Sequence, residues 1–351
     1  MITRIGLVVH DGKQLAREAA DRVRAWAAEH DLPCTDIDVW SADGGRLSAH
    51  EEAERAHYPD LVVTIGGDGT FLRGARVAAP IGALVLGVNV GRVGFLTDVD
   101  CAGVVDALEA IYAHEVSVDA RMMLTMRASR PLTLPEGMDV LLEYGRGPAL
   151  PSPRVRPGVP DDQGWGVPLD ILALNDVVFE KLARDRSASL AVYVGGRLLA
   201  SYSADALVVA TSTGSTAYSF AAGGPVVSPA LDALVFTPVA PYMVFDRSLV
   251  VSMRERIGVL VLERSGQVAV SVDGQLRGVL DPGDWITVYA GSRRARLVRL
   301  HETTFLDRIR DRFNLADSPA AAADGSAPET YHADAPLPPD LADPGPHDDG
   351  R

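Results

Sequence analysis

Along the first hundred residues, short wholly apolar runs alternate with longer stretches whose apolar positions recur every three or four residues. Residues 4–9 (Arg-Ile-Gly-Leu-Val-Val) read as a buried strand. Residues 12–30 carry helical periodicity, with Leu15, Ala19, Val23 and Trp26 on one face. Residues 61–65 (Leu-Val-Val-Thr-Ile) form another apolar strand, followed by a Gly-rich turn and a helix through Leu72 to Ala79. Residues 83–88 (Ala-Leu-Val-Leu-Gly-Val) make a further strand. Strands that are apolar on both faces must be covered on both, and intervening helices can do this. The pattern predicts a parallel sheet.

The period changes near residue 116. From Val116 to about Val288 the chain reads as short strands and turns, such as Ala191–Val194 before Gly195-Gly196, Ile257–Leu262, Val268–Val272 and Trp285–Tyr289. The expectation is an α/β N-terminal domain over residues 1–115, with a Rossmann-like parallel sheet, and a β-rich domain over 116–288. Residues 145–168 are crowded with Pro and Gly and predict an exposed, flexible loop. Thr303–Phe313 predicts a short closing helix. From about Ala316, Pro, Ala, Asp and Gly dominate, which predicts a disordered acidic tail over 316–351.

Composition narrows the function classes. The 351 residues are enough for two domains with their own cores. A net charge of -14 argues against generic polyanion binding, nucleic acid included. Eight acids and one base lie between Asp317 and Arg351, so about half of that excess sits in the tail. An anionic substrate still needs a local cluster of Arg, Lys and backbone N–H groups. Cys34 and Cys101 stand in no metal or redox spacing, which suits a reducing compartment. The N-terminus shows no signal-peptide pattern and no uncharged apolar run is long enough to span a membrane. The expectation is a cytoplasmic protein with no membrane partner.

The candidate chemistry lies in five glycine- and hydroxyl-rich segments. Gly66-Gly67-Asp68-Gly69-Thr70 follows a buried strand and opens a helix. Ligands of parallel α/β sheets sit outside the carboxyl ends of the strands, and N–H groups at a helix start favour anions. An aspartate repels phosphate, so Asp68 makes sense there as a proton acceptor or as a route to bound Mg²⁺. The bland alternative is a tight turn with a helix-capping Asp. The segment ends in neither the Gly-Lys-Ser/Thr of a Walker A loop nor a Gly-x-Gly-x-x-Gly fingerprint. Arg73 is near enough in sequence to reach a phosphate held by this turn, and as well placed to be a solvated helix charge, as is Arg76.

Gly87-Val-Asn89-Val-Gly91-Arg-Val-Gly94-Phe95-Leu96 leaves a strand end through tight turns, where Asn89 can offer an amide to a ligand or serve the turn alone. Asn175-Asp176 pairs a two-way amide with an acceptor-only carboxylate, a combination suited to a ribose diol or an adenine edge, or to a plain turn. Thr211-Ser-Thr-Gly-Ser-Thr216-Ala217-Tyr218 supplies hydroxyl donors without a competing charge, and Gly223-Gly224-Pro225 turns just after it. Val272-Asp273-Gly274-Gln275 is first of all a hairpin signal.

Taken in order, these segments resemble the NAD kinase family over roughly residues 1–313. Each motif is modest alone; the ordered set is specific. The resemblance implies an α/β domain followed by a β-rich domain with the active site between them, and a terminal segment, 289–315, that returns to the first domain. It implies phosphoryl transfer from ATP or polyphosphate, with Mg²⁺ or another divalent cation, to the 2′-hydroxyl of the adenosine ribose of NAD, in a homodimer or homotetramer.

By the same resemblance Asp68 is the base and Gly69 lines its site, while Asn175 and Asp176 hold the adenosine portion of NAD. Thr216, Ala217, Tyr218, Ser219 and Ala221 line the nucleotide pocket. Arg73, Arg186, Asp205 and Gln275 occupy other ligand-contact positions. The chain departs from the family pattern at Ser212, where Pro is usual, at Ala206, where Gly is frequent, and in the insertion-like 145–168. A diacylglycerol-type or sugar kinase shares the Gly-Gly-Asp-Gly-Thr turn but not the Thr-Gly-Ser-Thr-Ala-Tyr segment. A sensor that binds NAD or NADP without turnover is the rival from another class.

Overall fold

The computed structural model describes residues 2–10, 12–39, 49–91, 94–135, 153–155, 166–243, 245–300 and 304–315. In chain order its strands are β1 (Ile5–Val9), β2 (Cys34–Asp36), β3 (Leu61–Gly66), β4 (Leu84–Asn89), β5 (Val99–Asp100), β6 (Ser117–Ala128), β7 (Val167–Pro168), β8 (Asp176–Lys181), β9 (Ala188–Val194), β10 (Arg197–Ala204), β11 (Ala206–Thr211), β12 (Ala233–Val239), β13 (Leu249–Ser252), β14 (Arg256–Val261), β15 (Val268–Val272), β16 (Gln275–Leu280) and β17 (Trp285–Arg299). The helices are α1 (Gln14–Glu29), α2 (Ala49–Arg55), α3 (Asp68–Ile81), α4 (Val104–Tyr112), the single turn α5 (Tyr218–Ala221) and α6 (Phe305–Phe313). Residues up to Arg308 form one compact unit, and a second begins at Ile309. Among the described residues no helix is long and apolar enough to cross a membrane.

The expected parallel sheet is present. β2, β1, β3 and β4 pair in parallel in that order, with β5 on β4. Its continuous apolar runs are explained by two-sided burial: Leu61, Val63 and Ile65 of β3 face α1 and α4, while Val62 faces α2 and α3. Helix α1 turns inward the face its spacing suggested, with Leu15 the exception. Ala16, Ala19, Ala20, Val23, Trp26 and Ala27 are buried, whereas Leu15 is 58% exposed. Small alanines let the helix lie close to the sheet, and the larger Leu15 stays outside.

The β-rich region is an antiparallel sandwich. One sheet has the order β13-β12-β11-β8-β15-β16. Its alternation is regular: Leu207 and Val209 of β11 enter the core between the sheets, and Ala206, Val208 and Ala210 face a smaller outer cluster. The opposing strands β10, β9, β14, β17, β6 and β7 belong to the same eleven-stranded sheet as the parallel strands. The joint is β17. It was read as ending near Tyr289 but runs for 15 residues, antiparallel to β14 and β6 and then parallel to β4 through Arg296 and Leu297. An irregularity between Ala290 and Arg294 lets the strand cross from one region to the other, and its polar Gly-Ser-Arg-Arg sequence hid the continuation. The expected loop at 145–168 lies mostly outside the described residues, and the tail from 316 lies wholly outside them.

Candidate active site

The Gly-rich turn is shorter than expected, because α3 starts inside it. Gly67 is extended and caps the helix, Thr70 and Phe71 donate their N–H groups to its carbonyl, and Asp68 is the first helical residue. An acid in the first turn complements the helix dipole. Gly66 pairs with Asn89 across β3 and β4, so both motifs leave the carboxyl edge of the sheet side by side. The segment after β4 then folds back over Asp68. Phe95 N–H donates to Asp68 Oδ2 and Leu96 N–H to Oδ1, each at 3.2 Å. Each oxygen has one backbone donor and keeps an acceptor site. Gly94 is needed here, because a Cβ would collide with the Asp68 carboxylate. Asn89 serves the same segment: its Nδ2 donates to the Gly91 carbonyl at 2.8 Å.

A second group of site residues meets at one end of the sandwich. The hairpin between β15 and β16 turns through Asp273 (φ 48°) and Gly274 (φ 74°). The Asp273 carboxylate is turned inward. It accepts N–H bonds from Leu174 at 2.9 Å, Asn175 at 2.7 Å and Asp176 at 3.1 Å, while Asp273 N–H donates to the Asp176 carbonyl at 3.0 Å. Burial pushes the Asp273 carboxyl up to about 6 against the pull of those three donors. Asp176 is 4% exposed; burial, and then the Asp273 charge, push it up to about 7, while a Tyr218 N–H pulls it down.

The Thr-rich segment packs on this knot as a 3-10 turn, Thr213–Thr216, leading into α5. Thr211 Oγ1 donates to the Leu174 carbonyl at 2.6 Å and accepts from Gly214 N–H at 2.9 Å. Gly214 lies so close to the Asn175 backbone that no side chain fits. Ser212 hydrogen-bonds the Leu231 carbonyl and the Ala233 N–H, which ties down the turn where the family pattern has Pro. Burial, then the carboxylates of Glu180, Asp176 and Asp205, push the half-exposed Tyr218 phenol above its ordinary value.

The structure therefore brings Asn175, Asp176, Asp205, Thr216, Ala217, Tyr218 and the turn before Gln275 into one neighbourhood. A cavity lined by Phe95, Leu96, Thr213 and Thr216 links the Asp68 bend to the Thr-rich turn. Gly69 is exposed beside Asp68. Other positions have different surroundings. Arg73 is buried and donates to the Val39 carbonyl at 3.2 Å. Arg76 pairs with the buried Glu52 at 2.6 Å. Arg186 is exposed beside Asp185, at 3.9 Å. Asp205 pairs with Lys181 at 2.5 Å. Ser219 is fully buried in a hydroxyl chain, 2.8 Å from Thr237, which lies 3.0 Å from Ser248. Ala221 is exposed at the end of α5.

From sequence, Asp273 reads only as a hairpin residue and Gly94 only as a turn residue, and what each one touches is missed. An Asp before Gly and a glycine before an apolar pair were visible signals, but their targets are 97 and 27 residues or so away along the chain. Also missed are three buried arginines, Arg121, Arg299 and Arg308, scattered over three elements.

Known proteins align with these features. Residues 5–116 match the family model for the ATP-NAD kinase N-terminal domain, and residues 174–300 match that for the ATP-NAD kinase C-terminal domain. A relative called NAD kinase 1 from Streptomyces avermitilis is 60% identical over 99% of this chain and 98% of its own length. An NAD kinase from Heliobacterium modesticaldum is 36% identical over 88% of this chain and 97% of its own. Two solved structures share the fold. Yeast NADH kinase complexed with NADH has a TM-score of 0.70 at 20% identity, covering 90% of this chain and 89% of that one. An Archaeoglobus fulgidus NAD kinase in complex with ATP has a TM-score of 0.61 at 21% identity, covering 89% and 99%. With both halves of the fold matched and full-length relatives this similar, the chain belongs to the NAD kinase family.

Proposed function

We propose that this chain phosphorylates the 2′-hydroxyl of the adenosine ribose of NAD with Asp68 as the general base. The enzyme is an NAD kinase. A ribose hydroxyl is a poor nucleophile until its proton is taken. A carboxylate within hydrogen-bond reach takes it as the new bond forms, typically worth ~10²–10⁴ in rate. The 2′ oxygen then bonds to the γ-phosphorus of ATP, the bond to the departing ADP breaks, and the proton rests on Asp68. The observation that carries this reading is the Asp68 carboxylate, presented at a strand tip with one backbone donor and one remaining acceptor site on each oxygen.

The other half of the site positions NAD. Asn175 and Asp176 hold the adenosine portion, and Gly69, Thr216, Ala217, Tyr218, Ser219, Ala221 and Gln275 shape the pocket around it. Asn89 shapes the loop over Asp68. Asp205, Arg73 and Arg186 are assigned supporting contacts; of these, Asp205 lies among the acids around Tyr218. Holding hydroxyl and phosphate in line contributes most of the remaining acceleration. Among the described residues no three His, Cys, Asp or Glu side chains converge to hold a metal ion. The divalent cation is taken to arrive on the phosphates of the nucleotide substrate. ATP or inorganic polyphosphate is the donor. The same reading takes the enzyme as a cytoplasmic homodimer or homotetramer, with Cys34 and Cys101 as free thiols.

One assay separates the candidates. The protein is incubated with ATP, Mg²⁺ and NAD, and the product is read with a dehydrogenase that accepts only NADP. Steady NADP formation is expected. NAD binding without NADP would mark a sensor, and neither signal would mark a lipid or sugar kinase.

A further inference from the structure

Next to the Asp68 bend lies a cavity of about 320 Å³, bordered on one side by Thr216 of the proposed NAD pocket. Three arginines from different elements converge on it: Arg121 from β6, Arg299 from the end of β17 and Arg308 from α6. Each is more than nine-tenths buried, or at that limit, at 8%, 9% and 8% exposure. Two of them have close carboxylate partners. Arg121 Nε donates to Asp119 Oδ2 at 2.6 Å, and Arg308 pairs with the buried Asp98 while donating to the Thr97 carbonyl at 3.0 Å.

Arg299 is the odd one out. Its nearest carboxylate oxygens, on Asp119 and Asp98, stand at 3.6 and 3.7 Å, and both are already taken by the other arginines. Asp98 further spends its second oxygen on the Leu300 N–H, at 2.9 Å. Arg299 Nη1 reaches the Leu96 carbonyl at 3.3 Å, and its Nη2 is buried with no hydrogen-bond partner. Three guanidinium groups against two carboxylates leave one positive charge without a counter-ion. Burial, then repulsion from Arg308 and Arg121, depress Arg299 to about 10 despite Asp98 and Asp119. It still carries its charge at neutral pH. An under-compensated buried charge is costly unless an anion completes it.

The walls suit a phosphate. Phe95 and Leu96, whose N–H groups hold Asp68, form one side, and Thr213 and Thr216 offer hydroxyls on another. Arg121 Nη1 already leans to Thr213 Oγ1, at 3.4 Å. Planar guanidinium donors together with uncharged hydroxyls match phosphate oxygens in both geometry and charge.

We propose that this cavity binds a phosphate chain, either the triphosphate of the nucleotide donor or free inorganic polyphosphate, with Arg299 supplying the uncompensated charge. Its placement against the reacting groups rests on the reading of Asp68 as base; the anion site itself rests on the arginines.

The test is calorimetric titration of the full chain with inorganic tripolyphosphate, without NAD and at constant ionic strength. Saturable binding is expected, weakened about tenfold or more by Arg121→Gln and by Arg299→Gln. Asp119→Asn removes the carboxylate that competes for Arg121 and Arg299, so it tightens binding about threefold or more. A purely structural cluster would not give that opposite sign. Asp68→Asn does not weaken tripolyphosphate binding, so loss of the base and loss of this site are read separately. ATP added to the tripolyphosphate complex displaces it if the cavity takes the donor's triphosphate, and binds alongside it if the ligand is free polyphosphate. Absence of saturable binding overturns the proposal. So does binding that Arg121→Gln and Asp119→Asn both leave within about twofold of wild type. Those two variants decide the matter even if Arg299→Gln fails to fold.

Discussion

Asp68 and Asp273 are both turn aspartates that accept backbone N–H groups, and they have opposite uses. Asp68 stands half-buried at the tip of a parallel strand, with one amide on each oxygen. Asp273 is turned into the sandwich, where three consecutive amides share its two oxygens. The first keeps the acceptor capacity that its proposed role as base requires. The second is a strut that fixes the backbone of Asn175 and Asp176. What separates the proposed base from the strut is how many lone pairs the protein leaves open.

The largest stability effect falls on the strut. Asp273→Ala strands three amide donors and costs about 2–4 kcal/mol, read by denaturant or thermal unfolding. A loss below about 0.5 kcal/mol would erase the contrast. Next comes the support of the base. Gly94→Ala pushes a methyl group into the Asp68 carboxylate and lowers kcat by up to about 10²-fold, since small misplacements of reacting groups carry large rate costs. An unchanged kcat would show that the loop over Asp68 does not position it.

A pH scan sharpens the difference further. The folded-state values of about 7 for Asp176 and about 6 for Asp273 lie above the ordinary value of roughly 4. The native chain therefore holds protons that the unfolded chain has released. The contribution of the pair to stability is full below about pH 4 and declines as pH rises to about 7, by up to about 1.4 kcal/mol per pH unit for each titrating group. Asp176→Asn flattens that slope in a series of thermal melts between pH 4.5 and 8; a slope identical to wild type would refute the assignment. The smallest effect is at the rim. Lys181 and Asp205 are partly exposed, so Lys181→Ala costs less than about 1 kcal/mol in the same melts.

The fold was legible where local pattern and burial agree. The apolar runs at 61–65 and 83–88 could only be two-sided strands, and β3 and β4 bear this out within a residue or two. The wholly apolar run over 206–210 likewise reflects burial on both faces of β11. Pattern failed where tertiary packing chose differently. Leu15 has helical spacing but lost its place to alanines that allow a closer approach. β17 looked finished at Tyr289 because its middle is polar, and only pairing with β6 and β4 carries it on to Arg299.

The candidate site was legible as motifs, since glycines and hydroxyls clustered at strand ends signal ligand loops from sequence alone. Its supports were not. Asp273 acts on amides about a hundred residues earlier in the chain, and Arg121, Arg299 and Arg308 share a cavity only because β6, β17 and α6 meet. Nothing local in those segments announces a partner so far away.

The role proposed for Asp68 is tested by the kcat of Asp68→Asn in the NADP-forming assay, with NAD affinity measured on the same preparation. The amide is nearly isosteric and retains an oxygen acceptor but cannot take a proton. In that variant kcat falls by about 10²–10⁴ while NAD binding and thermal stability stay near wild type. Turnover within about threefold of wild type would contradict that role, and the proton acceptor would then have to be sought elsewhere.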